Sequence, residues 1–465
     1  MNAVGAFGLL LVLIWLIRSR SETDSQPIGR PIAWTSTDAW ILLGVALLVV
    51  LAYARVATSY FLSDDFTILL HAGDYRRATW WAFTHPGGDG FYRPFFYLYF
   101  STSELVAHRN PLAWHAIELA MHLANCWLVY LLAIALGWSR FAAGVASALF
   151  AIHGTRPEAV VGISAQPDLL ATFFTLATLL LFLENRHWLA VIAMIPGLLS
   201  KESAYAIPLL LAVVAFGRWR EMIPYWIAAA AMFLLRWHLM GGLGGYVNPD
   251  GRLEILSTGV LGVIKGLGLR LWAALFVPVN WSIRPGWFFG ALLLAYLVFL
   301  LISARWTFPR RPIALSLAFV VVAALPAFSR LLIGADLAKA HYVYLPSAGF
   351  CLLMGTLVDR RPAAASVVML FSIAALEHNL SAWKFAAERA DAACEVGVSA
   401  VRSSPGPVAV VGLPHILNGI FFFHNGFPEC VAMRTGIDPA RVIVADRAPG
   451  GVKTLTWNPQ TNELR

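Results

Sequence analysis

The stretch Leu112–Leu136 reads LAWHAIELAMHLANCWLVYLLAIAL and contains no Lys, Arg or Asp. As an α-helix it is long enough to cross ~30 Å of hydrocarbon, for which about 20 apolar residues suffice. Its polar residues His115, Glu118, His122 and Asn125 recur at three- and four-residue spacing, which at ~100° per residue confines them to about one quadrant of the helix. A span with a single polar face needs a bundle interior, or a cavity at its edge, to receive that face. For the deeper His122 and Asn125 the simpler account is helix-to-helix hydrogen bonding, worth ~0.6 kcal/mol per pair in membranes. His115 and Glu118 lie nearer the end and are candidates to line a site.

Apolar runs recur along all 465 residues, of which 59% are hydrophobic and 13% charged, with a mean hydropathy of +0.69. Soluble domains carry roughly a quarter charged residues, so this chain lacks the polar groups to wet a soluble surface. A cytosolic enzyme, a secreted disulfide scaffold and a disordered tail protein are excluded. Spans are expected near Val4–Ile17, Ala39–Ala57, Leu112–Leu136, Phe141–Ile152, Asp168–Leu183, Trp188–Leu199, Ala204–Phe216, Met222–Met240, Trp287–Ala304, Pro312–Phe328, Tyr342–Leu357 and Ala363–Leu376. The fold class is an all-α polytopic membrane bundle of about twelve transmembrane helices. In the first, short run Trp15 and Arg18 stand where a signal peptide needs small residues, which favours a span.

The 34 Lys+Arg against 26 Asp+Glu leave a net charge of +8. In a membrane protein such an excess belongs to cytoplasmic loops, so the lipid bilayer and not nucleic acid is the expected partner. Arg18, Arg20, Arg30, Arg140, Arg186, Arg218, Arg220, Arg310, Arg311, Arg360 and Arg361 lie in short connections that share one side. The arrangement works if Thr258–Pro278 starts and ends on the other side, as an interfacial or re-entrant segment broken by Lys265 and Arg270. That outer side receives loops 59–111, 153–167, 241–286 and 329–341, a turn at Ser200, and the tail. Residues 1–378 form the membrane module and 379–465 a small extracytoplasmic domain. Its short apolar runs Val408–Val411, Ile420–Phe423 and Val442–Val444 read as strands. Cys126 and Cys351 fall in apolar runs as buried thiols, while Cys394 and Cys430 pair if the tail faces an oxidising compartment.

Charge near hydrocarbon is expensive, so its position matters more than its amount. Here it gathers at the outer ends of helices. Ser63-Asp64-Asp65-Phe66 reads as a capped helix start. It reads equally as a carboxylate pair in poorly hydrated surroundings, where one pKa rises toward that of a useful base. The residues alone do not choose between Asp64 and Asp65. His153, Arg156, Glu158 and Asp168 are many ionisable groups for a short loop, although a wet loop also accounts for them. Lys201-Glu202 follows the Ser200 turn, where Lys201 is a point charge for a phosphate. His341, Tyr342 and Tyr344 mark a helix start at which an aromatic belt explains the tyrosines. Together these groups outline a site for an anionic, lipid-embedded substrate.

In chain order, Asp64-Asp65, Tyr92-Arg93-Pro94, the helix from His115 to Asn125, and His153 with Pro157-Glu158-Ala159-Val160, Ile163-Ser164 and Asp168 form a series. Ser200-Lys201-Glu202 and Tyr342-Val343-Tyr344-Leu345-Pro346-Ser347 continue it. The series resembles the polyprenyl-phosphate-sugar-dependent glycosyltransferases of the multi-span GT-C type. The nearest likeness is to the transmembrane O-mannosyltransferases that carry tetratricopeptide repeats, and to their bacterial relatives. It covers Trp40 to Leu357. Gly154 replaces a usual Pro, Gln166 a usual basic residue, His341 an Arg, and the small tail the repeats.

The resemblance implies a GT-C-like bundle that moves a sugar from a polyprenyl-phosphate-linked donor to an unidentified acceptor hydroxyl, on the periplasmic face of a bacterial inner membrane. Asp64 or Asp65 would be the catalytic base. Arg93, His115, Glu118, His153, Arg156, Glu158, Asp168, Lys201, Glu202, His341 and Tyr342 would bind substrate and phosphate. Single displacement inverts the anomeric centre, whereas retention needs a second carboxylate across the sugar. No cofactor is expected for want of a ligand-rich signature, although some relatives use a divalent metal. The rival class is a transporter or flippase of lipid-linked sugars, which places charges near the midplane in matched halves. Here the charges lie at helix ends and the long first loop has no later match, which favours transfer.

Overall fold

The computed structural model describes residues 32–465 apart from 78, 88, 89, 249, 448 and 449, so the run expected at Val4–Ile17 lies outside them with Arg18, Arg20 and Arg30. The other expected spans fall on apolar helices: α1 (Ser36–Tyr53), α2 (Pro111–Ala135), α3 (Arg140–Ile152), α4 (Ile163–Leu183), α5 (His187–Leu198), α6 (Glu202–Val214), α7 (Trp219–Met240), α8 (Trp287–Ser303), α9 (Arg310–Arg330), α10 (Pro346–Val358) and α11 (Pro362–Arg402). Among the described residues six of them, α1, α2, α4, α7, α9 and α11, are long and apolar enough to cross a membrane, and the other five are shorter. This is an integral membrane protein. Successive helices joined by short connections run antiparallel. The ends of α3, α5 and α9 therefore meet the starts of α4, α6 and α10, while across the long connections His115 of α2 reaches the Ser59 carbonyl just past α1 and Arg236 of α7 reaches Glu202 at the start of α6.

Helix α3 is buried along its whole length and packs against α1, α2 and α10. Its sequence, RFAAGVASALFAI, supplies the small side chains that let helix backbones approach. Opposite it, a Cβ at Gly355 would stand 2.5 Å from the Ala142 carbonyl oxygen. Arg140, expected as a loop cation, is instead drawn inside: its Nε donates to Asp38 Oδ1 at 3.0 Å, and the Tyr130 hydroxyl donates to the same oxygen at 2.5 Å. A buried guanidinium needs such partners.

Two expectations shift, at Tyr342 and at the end of α11. Tyr342 lies in the 3₁₀ turn Ala340–Val343 and not at a helix start, because Pro346 sets the beginning of α10. Thr258–Pro278 is a helix from Val260 to Phe276 with a π turn at Gly266–Arg270, and its Val260, Leu261, Ile264 and Leu269 are exposed. Helix α11 continues past Leu376 to Arg402, across the division expected at 378. There Ala382, Ala386, Ala390, Ala393 and Cys394 bury one face while Glu388, Asp391 and Glu395 face water, so an amphipathic pattern sustains the helix where the apolar run stops.

The tail holds strands β1 (Val408–Val411), β2 (Ile416–Leu417), β3 (Ile420–Phe421), β4 (Val442–Ala445), β5 (Lys453–Asn458) and β6 (Glu463–Leu464). Four of them form a sheet in the order β4-β1-β5-β6, with β1 parallel to β4 and β5, and β6 antiparallel to β5. The β2–β3 hairpin turns on Asn418 (φ 52°) and Gly419 (φ 81°), the paired left-handed conformation of a type I′ turn. Cys394 of α11 and Cys430 of the helix Phe427–Thr435 form a disulfide, while Cys126 and Cys351 are free and buried. Replacing Gly355 by Ala is expected to cost about 1–3 kcal/mol through overpacking of α10 on α3, measured as a lower midpoint of thermal unfolding in detergent.

Candidate functional site

Asp64 and Asp65 open the short helix Asp64–Leu70, but Ser63 makes no side-chain cap hydrogen bond. The two carboxylates have different surroundings. Asp64 is exposed, and its Oδ1 accepts from Asn425 Nδ2 at 2.7 Å. Asp65 is buried, with Oδ1 accepting from the Ser164 amide at 2.8 Å and Oδ2 from the Leu62 amide at 3.3 Å. Burial outweighs those amides and raises the Asp65 carboxyl to about 6, with a small contribution from the Asp64 charge.

The run Ile163–Asp168 makes a polar contact at alternate residues. Ser164 holds Asp65, Gln166 Nε2 donates to Glu118 Oε1, and Asp168 Oδ2 accepts from Lys201 Nζ at 2.5 Å. Nearby, His115 Nε2 contacts the Ser59 carbonyl at 3.0 Å. Deeper in α2, His122 joins the Tyr344 hydroxyl (2.7 Å) to the Ala151 carbonyl (3.0 Å), and Asn125 Nδ2 donates to the Leu169 carbonyl at 3.1 Å. Those two residues link helices.

A cavity of about 260 Å³ opens beside Lys201. Its wall carries Arg93, Lys201, Arg236 and Arg330 against Asp168, Glu202 and Glu254, a formal excess of one positive charge. Arg93 and Arg236 share Glu202, at 2.6 and 3.2 Å, and Arg330 meets Glu254 at 2.9 Å. Lys201 Nζ stands 4.7 Å over the Tyr342 ring, and the Arg330 guanidinium 3.4 Å over Tyr246. Phe91, Phe233, Leu243, Ile255 and Leu345 make much of the remaining wall apolar. An anionic head on an apolar tail suits such a surface.

Of the residues singled out in the sequence, Arg93, Asp168, Lys201, Glu202 and Tyr342 line this cavity. Asp64, Asp65, His115 and Glu118 do not, and form a neighbouring group where α2 begins. Glu158 and His341 pair at 3.1 Å, and the Lys339 and His341 amides also donate to Glu158, at 3.1 and 3.0 Å. Burial alone would raise the Glu158 carboxyl, but His341 and these amides outweigh it and hold it below the usual carboxylate range.

The second outer loop, for which a wet loop is one reading and substrate binding the other, is almost wholly buried, and its His153 and Arg156 contact protein groups and do not line the cavity. His153 sits 2.9 Å from both Thr155 Oγ1 and the Leu275 carbonyl. Arg156 donates to the Phe150 carbonyl at 2.7 Å and to Ser347 Oγ at 2.6 Å, over the rings of Phe150 and Tyr344. Burial, reinforced by the Arg156 charge, pushes His153 down to about 3, so its ring is neutral at neutral pH. Arg236, Arg330 and Glu254 also line the cavity, without standing in any of the motifs of the ordered series. Arg236 had a signal, since a cation within an apolar run points inward to a partner; Arg330, at the last residue of α9, and Glu254, in the short helix Glu254–Ser257, had none. Among the described residues no three His, Cys, Asp or Glu side chains gather to hold a metal ion.

No protein-family model matches the chain. Protein O-mannosyl-transferase Tmtc1 of Drosophila melanogaster is 30% identical over 181 residues, covering 35% of this chain and 21% of its own length. Protein O-mannosyl-transferase F38B6.6 of Caenorhabditis elegans is 30% identical over 230 residues, covering 45% and 33%. Protein O-mannosyl-transferases are sequence relatives of this chain. The similarity to these O-mannosyl-transferases agrees with the ordered motifs, and the chain spans about a fifth to a third of their length. Among solved structures, an oligosaccharyltransferase of Archaeoglobus fulgidus with zinc and sulfate overlaps with a TM-score of 0.43 at 13% identity, over 87% of this chain and 62% of that one. ArnT of Cupriavidus metallidurans, bound to undecaprenyl phosphate, overlaps with a TM-score of 0.36 at 13% identity, over 92% and 94%.

Lys201→Met should lower stability by about 3–5 kcal/mol, because Asp168 is left buried and unpaired. Adding Asp168→Asn should restore most of the loss, and a double-mutant cycle of denaturant unfolding in detergent measures the coupling.

Proposed function

We propose that this protein is a membrane glycosyltransferase that moves a sugar from a polyprenyl-phosphate donor to an acceptor hydroxyl. The observation that carries the reading is the cavity at Lys201, where one excess positive charge stands among apolar walls at the end of a membrane bundle. A sugar joined to a lipid through a phosphodiester brings one negative charge and an apolar tail. Its phosphate sits among Arg93, Lys201, Arg236 and Arg330.

Asp65 removes the acceptor proton, and the freed oxygen attacks the anomeric carbon. The bond from that carbon to the phosphate oxygen breaks, and polyprenyl phosphate departs with a second negative charge that the guanidiniums stabilise. One displacement inverts the centre. Burial and a carboxyl at about 6 favour Asp65 over the exposed Asp64, since a base works best with a pKa near the operating pH. Ile163–Asp168 ties it to the cavity by touching Asp65 at one end and Lys201 at the other. The names of the curated relatives make mannose the first sugar to test. Basic connections at the opposite end of the bundle and the Cys394–Cys430 disulfide at this one support an extracytoplasmic site.

With purified protein and polyprenyl-phosphate mannose, Asp65→Asn is expected to lower kcat roughly 10²–10⁴-fold, the usual worth of a general base. Asp64→Asn keeps an oxygen acceptor for Asn425 and should lose less than about tenfold. Because Asp65 is ionised only above its pKa, wild-type kcat/KM should fall as pH drops through about 6, and Asp65→Asn should lose that dependence. Equal losses in the two variants would refute the base assignment. Absence of transfer from every polyprenyl-phosphate sugar would refute the function.

A further inference from the structure

The C-terminal domain reaches the acidic turn through the loop after β3. The Ser63 amide donates to the Phe422 carbonyl at 3.0 Å, and Asn425 Nδ2 donates to Asp64 Oδ1 at 2.7 Å. The Phe423 ring stacks on Phe66 with 5.8 Å between centroids. Gly426, at φ +91°, lies so near the Ser63 carbonyl that no Cβ fits there.

Ser63 stands at φ +48° and ψ −118°. A non-glycine residue keeps such a conformation only where its surroundings over-determine it. Here the amide partner of Ser63 comes from the far end of the chain. The loop that supplies it is itself fastened on both sides. Before it, Asn280 Nδ2 donates to the Asn418 carbonyl at 2.8 Å. After it, the helix Phe427–Thr435 is joined to α11 by the Cys394–Cys430 disulfide and by Arg434, which pairs with Asp391 and Glu395 and donates to the Tyr60 hydroxyl at 2.8 Å.

We propose that the loop Phe422–Gly426 positions the Asp64–Asp65 turn, that Asn425 is its positioning residue, and that the Cys394–Cys430 disulfide holds the loop in place. The catalytic importance of this rests on the glycosyltransferase reading of that turn. Asp65 keeps the Ser164 and Leu62 amides only while Ser63 is pinned. Once released, the turn relaxes and the carboxylate leaves Ser164.

The test is hydrogen exchange by mass spectrometry on the full chain in detergent, beside steady-state sugar transfer. Asn425→Ala is expected to speed exchange at Ser63–Phe66 about tenfold or more while α2 keeps its wild-type protection. It should lower kcat about fivefold or more with donor KM within about twofold, and Asn425→Gln, which retains the amide donor, should recover most of that loss. Because the Asn425 side chain is exposed, its truncation leaves the bundle intact. The double variant Cys394→Ser with Cys430→Ser should loosen the same turn. Unchanged exchange at Ser63–Phe66 in both variants overturns the proposal whatever the activity, and faster exchange with undiminished kcat overturns the positioning role. A wild-type protein that transfers no sugar overturns the proposed function alone, and the exchange data then decide whether the loop holds the turn.

Discussion

The ion pair between Lys201 and Asp168 satisfies the condition on which the rest of the site depends. An ionised group at the edge of hydrocarbon needs an opposite charge within reach. Here that need ties the start of α4 to the turn before α6. Once α4 begins there, Ile163–Asp168 faces the acidic turn through Ser164, the polar face of α2 through Gln166 and the cavity through Asp168. Glu202 repeats the arrangement with two guanidiniums and draws together Arg93 of the first loop and Arg236 of α7.

Close packing makes these pairings possible. The small side chains of α3 bring α1, α2 and α10 around one buried helix, and tight helix contacts leave polar groups few positions in which to be satisfied. His122, Asn125, Tyr344 and Arg156 are consumed in linking helices. The groups left at the helix ends are those beside the cavity and the turn, and the Glu158–His341 pair. The asymmetry of the two aspartates has the same origin. Asp65 points into protein and loses water, whereas Asp64 stays wet and is met by Asn425 of the C-terminal domain.

Much of the fold was legible because its signals are local. Hydropathy over about 20 residues marks a helix for the membrane, and each expected run within the described residues lies on an apolar helix. The strands at Val408–Val411 and Val442–Ala445 were marked by short apolar runs between turn residues. The extension of α11 to Arg402 is also written in its alanine spacing, a periodic signal that continues where the apolar run ends at Leu376.

The sequence by itself determined the membrane bundle, the gathering of charge at one set of helix ends and the likeness to O-mannosyl-transferases, since periodicity, hydropathy and motif order are properties of neighbouring residues. Only the tertiary structure decided which aspartate is buried, that His153 and Arg156 turn inward, that Arg236 and Arg330 line the cavity, and that Asn425 meets Asp64. Burial and pairing depend on what arrives from elsewhere in the chain. Asp64 and Asn425 lie 361 residues apart, and no local pattern records that they meet.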